Sequence, residues 1–314
     1  MLKSSITNTD NTVFLGAINP MEISEKWHDG MGIDVGDRFR SLTTIECWQC
    51  NDTGFRWYEP PEAAGGGELY SQLEKFDWYY MPEKWEFSAV CNLLAKDDRV
   101  LEVGVGFGFF LEACRLKNIT VSGVELSSSA AERAREKGFE IFEENLDELA
   151  ERIGSNHFDV ICSFQVLEHV SQPREFLEGM LRNLKVGGRL ILSVPNAAVM
   201  RRIDPDNQNL LNQPPHHMGQ WDENVFRSLQ TVIPVRLKSI HREPLASYHV
   251  AWIVNGYLRN FFSPLGETLP RLLVNRYSTL PLQWILKAGL RKLLPGHTLL
   301  VELEKLGQFE SPTN

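Results

Sequence analysis

One stretch constrains this 314-residue chain more than any other: LEVGVGFGFFLE, residues 101–112. A short apolar strand runs straight into three glycines, Gly104, Gly106 and Gly108, and a helical pattern follows at once. Glycine lets the backbone turn sharply and lets a ligand approach with no Cβ in the way. The first turn of the following helix presents unpaired N–H groups. In an open α/β sheet such a turn lies outside the carboxyl ends of the strands, where ligands bind.

The chain around this turn alternates between two periodicities. Apolar strands are expected at 99–103, 119–125, 139–143, 158–164 and 189–194. Helices are expected at 109–117, 128–137, 146–152 and 173–184, the last with Pro173 in its first turn and Gly187–Gly188 after its end. Residues 228–243 read as a helix then a strand, and HTLLVELEK (297–305) reads as a final strand. This βα alternation implies a parallel sheet with helices on both faces. The expected class is α/β, a Rossmann-like doubly wound sheet, mostly parallel with its last strand antiparallel. An aromatic N-terminal cap precedes it, and a helical insertion precedes the last strand. The corresponding division is 1–82 for the extension and cap, 83–250 for the core, 251–295 for the insertion and 296–314 for the last strand and tail. Residues 1–20 are polar and are expected to be loose.

A glycine turn alone also serves nicotinamide dinucleotides, so a dinucleotide-dependent oxidoreductase is a rival reading. The spacing here is GxGxG, and GxGxxG needs Gly at 109, which is Phe109. Glu102 sits inside the strand, two residues before Gly104, where a cationic ligand finds an opposite charge. Glu125 ends the next strand, 21 residues after Gly104, where a carboxylate can accept from ribose hydroxyls.

These residues resemble the class I S-adenosylmethionine (SAM)-dependent methyltransferase family. The likeness continues through EENLDEL (143–149), FDVICSFQVLEHV (158–170) and LKVGGRLILSVPN (184–196), and covers about 84–230. The resemblance implies SAM as cofactor. Glu102 with the backbone of Gly104, Gly106 and Gly108 is then expected to hold its methionine end, and Glu125 its ribose. Asn145 and Leu146 are expected at the adenine and Leu126 and Phe164 also at the cofactor, with Tyr80 or Tyr79 of the aromatic run FDWYYMPEKWEF (76–87) reaching it. A SAM-fold partner protein without catalysis is a further alternative; its mark is a broken cofactor motif, and this motif is intact.

Methyl transfer from a sulfonium is an in-line displacement, so alignment matters most, with removal of a proton where the acceptor is a hydroxyl. Three histidines are candidate bases: His169 in LEHV, and His216 and His217 in PPHH, within a polar stretch (196–220) too long for a plain connection. His217 is the first choice, titrating near an ordinary imidazole. The LEHV block resembles that of the ubiquinone-pathway O-methyltransferases. Some of those carry a metal-binding acid three residues before the Glu; here that position is Gln165, so no metal is expected. Nucleobase amino methyltransferases carry an Asn/Asp-Pro-Pro-aromatic tetrapeptide, and Ser163–Val166 does not match it. The expected acceptor is a hydroxyl of a small molecule or glycan, lipid-linked ones included.

Charge supports this. A net charge of −9 disfavours nucleic acid as partner. Residues 251–294, however, carry +5, leaving −14 on the remainder. Along 282–293, Leu282, Ile285, Leu286, Gly289, Leu290 and Leu293 share one helical face, with Lys287, Arg291 and Lys292 off it. The plain expectation is a lid packed on the sheet, and the sharper one is peripheral contact with a membrane surface. No basic leader and no apolar run near 20 residues is seen, so the expected location is cytoplasmic, against the inner face of a membrane where that contact forms. Five cysteines, an odd number, read as reduced thiols. CWQC (47–50) has no second pair to complete a zinc site, so no stoichiometric zinc is expected there.

Overall fold

The computed structural model describes residues 2–266, 273–275 and 277–307. Parts of the expected insertion (267–272 and 276) and of the tail (308–314) lie outside the described residues.

Two sheets form the molecule. The larger has seven strands in the order β10-β11-β8-β7-β4-β5-β6. Here β4 is Val100–Val103, β5 Val121–Val124, β6 Ile141–Phe142, β7 Phe158–Phe164, β8 Leu184–Pro195, β10 Val235–Pro244 and β11 Pro295–Lys305. β4 pairs in parallel with β5 and β7, β5 with β6, and β7 with β8. β11 slots antiparallel between β8 and β10, so it is the reversed strand. The strand order steps outward from β4 in both directions. The β4 turn therefore faces the crevice where the winding reverses, the usual ligand position in such sheets. All four β4 residues are buried, which is why VLEV reads as a continuous apolar run broken only by Glu102.

The smaller sheet is antiparallel, in the order β1-β2-β3-β9, with β1 Thr12–Ile18, β2 Ile45–Cys50, β3 Arg56–Glu59 and β9 Gly219–Gln220. Described residues 2–20 are therefore not loose. Ile6 is fully buried, and β1 pairs along the length of β2. The long 196–220 stretch donates β9 to this sheet, so cap and core share a seam. Trp221 fills it, buried between Phe55 (ring centroids 4.6 Å apart) and Phe226 (5.3 Å).

The insertion between β10 and β11 is helical but differs from a packed lid. Helix Val250–Phe262 buries Val250, Ile253 and Val254 against Val199, Met200 and Ile203 of helix Ala197–Ile203. A further helix, Leu280–Lys287, stops before Gly289 (φ 145°), and a short 3-10 turn, Leu290–Leu293, follows. Leu286 is buried, whereas Trp284 is 70% and Leu293 80% exposed, with Leu282, Ile285 and Leu290 also exposed. The expected apolar face is thus broken and turned outward.

Cys47 and Cys50 stand three residues apart on one strand, so their side chains take opposite faces. Cys47 packs with the cap cluster around Trp27 and Tyr58, and Cys50 with the core cluster around Phe55 and Trp221. They cannot close on one ion. All five cysteines are free.

Candidate active site

A cavity of about 1080 Å³ opens at the carboxyl edge of the large sheet, roofed by the cap. That is at the top of the range for ordinary ligand pockets, roughly 300–1,000 Å³. It has a floor of strand-end loops and two chemically distinct ends.

The first end is the glycine turn. Gly104 (φ 82°) lies so close to the loop after β7 that a Cβ there meets Val166 Cγ2 at 2.5 Å. Gly106 (φ 53°) passes under the Tyr80 ring, where a Cβ meets Tyr80 Cε1 at 2.9 Å. Both need the left-handed backbone and the missing side chain. Gly108 (φ 77°) caps helix Phe109–Leu116 and packs toward Ala134; it does not line the cavity. Tyr80 lies against Phe107, ring centroids 4.4 Å apart, as the cover of this end.

Glu102 is buried, and its Oε2 has no hydrogen-bond partner. Burial pushes its carboxyl well above the usual range; nearby Lys84 opposes this and Glu125 adds to it. Glu125 is also raised by burial, but its two oxygens accept from Gly106 N–H and Ser127 N–H, each at 2.8 Å. The acid therefore fixes the turn as well as facing the cavity. Asn145 is more committed than its expected role implies: its Oδ1 accepts from Asp147 N–H and Glu148 N–H in a complete capping box. Leu126, Leu146 and Phe164 also line the cavity, Leu126 largely exposed and Phe164 buried against Phe87 and Phe110.

The second end is built from two loops. After β7 the chain turns through Gln165 (φ 56°) into the 3-10 turn Leu167–His169. The 209–218 loop docks on that turn through Met218 N–H to Glu168 O (2.8 Å) and a contact of His169 Nδ1 with His216 O (2.6 Å). This brings the three sequence-selected histidines together, with ring centroids 4.5, 4.6 and 5.0 Å apart. His216 Nδ1 faces Leu211 O at 2.8 Å, and its Nε2 meets the Tyr79 hydroxyl at 3.1 Å. His217 Nδ1 faces Asn212 Oδ1 at 3.5 Å. The surroundings of all three favour the neutral ring over the ordinary imidazole value expected of His217. Burial pushes His169 down to about 4 and holds His216 and His217 well below the usual value. Glu168 is buried with Oε2 unpartnered, and burial pushes it up to about 8.

Sequence reading missed a third group. Glu86, Glu243, His249, Trp252, His297 and Thr298 also line the cavity. The signal lay in topology: because β11 runs backwards, its first residues, His297 and Thr298, come to the carboxyl edge of the parallel strands, beside the end of β10.

The profile of a family described as a methyltransferase domain matches residues 78–240, just over half of the chain. The chain is 29% identical over 111 residues to the mitochondrial ubiquinone biosynthesis O-methyltransferase of Schizosaccharomyces pombe, covering 33% of this chain and 40% of that protein. It is 34% identical over 103 residues to the ubiquinone biosynthesis O-methyltransferase of Caulobacter sp., covering 31% and 41%. The chain thus spans less than half the length of these curated relatives. Among solved structures, a SAM-dependent methyltransferase of Thermotoga maritima, titled a possible histamine N-methyltransferase, aligns with TM-score 0.48 and 19% identity over 76% of this chain and 96% of that one. With its glycine turn, its two strand-end acids and the matched profile, the chain belongs to the methyltransferase-domain family, the class I SAM-dependent methyltransferases.

Proposed function

We propose that the chain transfers a methyl group from SAM to a hydroxyl of a small-molecule or glycan acceptor, including acceptors carried on a lipid. The observation that carries this is the single cavity joining the glycine turn to the histidine cluster.

The residues of the first end suit SAM. Glu102 Oε2 is an orphaned, buried carboxyl oxygen, as an ammonium group requires, and the Gly106 cradle is one a Cβ fills. Glu125, held by two amides, retains lone pairs for ribose hydroxyls. When bound, SAM supplies an electrophilic methyl on sulfur. The chain's part is to align the acceptor oxygen with it and to take up the proton that oxygen loses. His169 and His217 are the candidates, because the Tyr79 hydroxyl engages His216 Nε2. Relatives named ubiquinone biosynthesis O-methyltransferases support a hydroxyl acceptor.

Contact with a membrane belongs to the same reading. Among the described residues no helix is long and apolar enough to cross one. The insertion nevertheless exposes Trp284, Ile285, Leu290 and Leu293 beside Lys287, Arg291 and Lys292, the composition that lies in a lipid interface. On this reading the enzyme works in the cytoplasm at the inner face of a membrane.

The test is direct. Purified chain is incubated with SAM and a panel of catechols, prenylated catechols in detergent and sugar-bearing lipids, and products are read by mass spectrometry. A gain of one CH2 on an oxygen is expected. Transfer confined to amines or carbon acceptors defeats the hydroxyl reading.

A further inference from the structure

The histidine end of the cavity holds more than one base requires. One ring nitrogen from each of His169, His216 and His217 lies within 4.8 Å of the others. His216 and His217 are buried and His169 partly so. In all three rings Nδ1 faces an oxygen: His216 O, Leu211 O and Asn212 Oδ1. A neutral imidazole that donates through Nδ1–H keeps its lone pair on Nε2. This is the outer-shell pattern that fixes tautomer and ring orientation in metal-ligating histidines. A single general base needs one such ring, and here three converge.

We propose that His169, His216 and His217 bind one divalent transition metal ion of the zinc type, with an open position toward the acceptor. Three imidazoles favour zinc, cobalt, nickel or copper over magnesium or calcium, which take oxygen ligands. Three protein ligands and a free position make up the catalytic form of a zinc site. Tetrahedral bonds of about 2.0–2.1 Å place ligand nitrogens about 3.3 Å apart, so the rings draw together on loading. The Tyr79 hydroxyl, on His216 Nε2, occupies the lone pair the ion takes and must swing away.

The role of the ion deepens the hydroxyl-transfer reading and rests on it. With their lone pairs on the ion, His169 and His217 would no longer serve as bases; the ion would act as a Lewis acid on the acceptor oxygen, whose proton would pass to water. That oxygen then forms the new C–O bond as the methyl–sulfur bond breaks and S-adenosylhomocysteine leaves.

Cobalt(II) is the probe, because its visible absorption reports coordination without any turnover. The 314-residue chain is stripped with chelator and titrated with Co2+, and bound metal is counted by mass spectrometry. One equivalent is expected, with the intense visible bands of a four- or five-coordinate ion. Both should vanish in His217→Ala and in His169→Gln, and persist in the Cys47→Ser, Cys50→Ser double variant. SAM binding and the melting temperature report that the variants fold. Tyr79→Phe should tighten Co2+ binding by roughly two- to tenfold, the equivalent of one competing hydrogen bond. A merely structural cluster predicts no such gain, which keeps the idea testable should a histidine variant fail to fold. Azide should shift the bands, and bands indifferent to it refute the open position. Absence of stoichiometric uptake, or uptake that survives both histidine substitutions, overturns the proposal. Hydroxyl methylation that persists undiminished in chelator overturns the metal's role alone, and Co2+ uptake without hydroxyl methylation overturns the functional reading alone.

Discussion

If Glu102 receives the ammonium group of SAM, as proposed, binding is a proton-coupled event. In the free protein its carboxyl is fully enclosed, and burial holds it protonated well above the usual carboxylate range. Lys84 relieves only part of that cost, and Glu125 increases it. An incoming ammonium reverses the balance, because an opposite charge at contact favours the ionised carboxylate. Binding therefore expels a proton. The sign follows: below the raised value the free protein holds the proton and the bound form does not, so affinity rises with pH. One proton corresponds to at most tenfold in Kd per pH unit, or about 30-fold between pH 5.5 and 7. In that window the ligand's own α-amino group stays charged, its ordinary pKa being about 7.7–8.0. Calorimetry in two buffers of different ionisation enthalpy counts the protons, with a value approaching one expected. In Glu102→Gln the count should fall to zero and the pH slope should flatten. At pH 7 that variant should bind SAM about 10- to 150-fold more weakly, the equivalent of roughly 1.5–3 kcal/mol for a hydrogen bond to a charged group. Glu125 is the internal control: its proposed partners are neutral ribose hydroxyls, which do not call upon its charge. A wild-type affinity flat from about pH 5.5 to 7, with no proton released, refutes the assignment of Glu102 to the ammonium.

Three further outcomes follow from particular contacts. Glu125→Ala should weaken SAM by about ten- to a hundredfold, since it removes the proposed ribose acceptor and frees Gly106 N–H and Ser127 N–H together; unchanged calorimetric affinity in a folded variant removes Glu125 from the site. Trp221→Ala should cost about 3–5 kcal/mol in urea unfolding, because the ring is fully buried between Phe55 and Phe226. A loss under about 1 kcal/mol shows that the seam between cap and core does not stabilise the fold. The Trp284→Asp, Leu293→Asp double variant should lose most sedimentation with anionic phosphatidylglycerol vesicles, and wild-type binding should weaken in high salt. Wild-type protein that stays in the supernatant at low salt refutes the membrane contact.

The parallel strands were legible because a strand buried on both faces needs no partner to be recognised; VLEV and FDVICSF carry their burial in their composition. The turn was legible because its demand is local, a left-handed backbone at Gly104 and Gly106. The small sheet was not. β1 exposes Val13, Phe14 and Leu15 in succession, so it has no clean alternation, and its partner lies beyond a helix at β2. A strand of that kind is defined by pairing, which composition does not report. The CWQC pair misleads for a related reason: its spacing suits a turn, but on a strand the two sulfurs part company. The insertion misled because an apolar stripe on a helical wheel assumes one unbroken helix, and Gly289 breaks it.

The histidine cluster marks where legibility ended within the site itself. Each residue could be chosen singly, His169 by its motif and His216 and His217 by the length of their loop. Their meeting depends on two bonds that no local pattern encodes, Met218 N–H to Glu168 O and His169 Nδ1–H to His216 O. The loop's flanks are held as well: β9, immediately after it, pairs with Trp57 of β3, and Ala197, at its other flank, donates its N–H to Trp221 O. The cap therefore does more than cover the cofactor end. Through β9 it holds one flank of the 196–220 stretch, beside the loop whose His216 and Met218 bond to the LEHV turn.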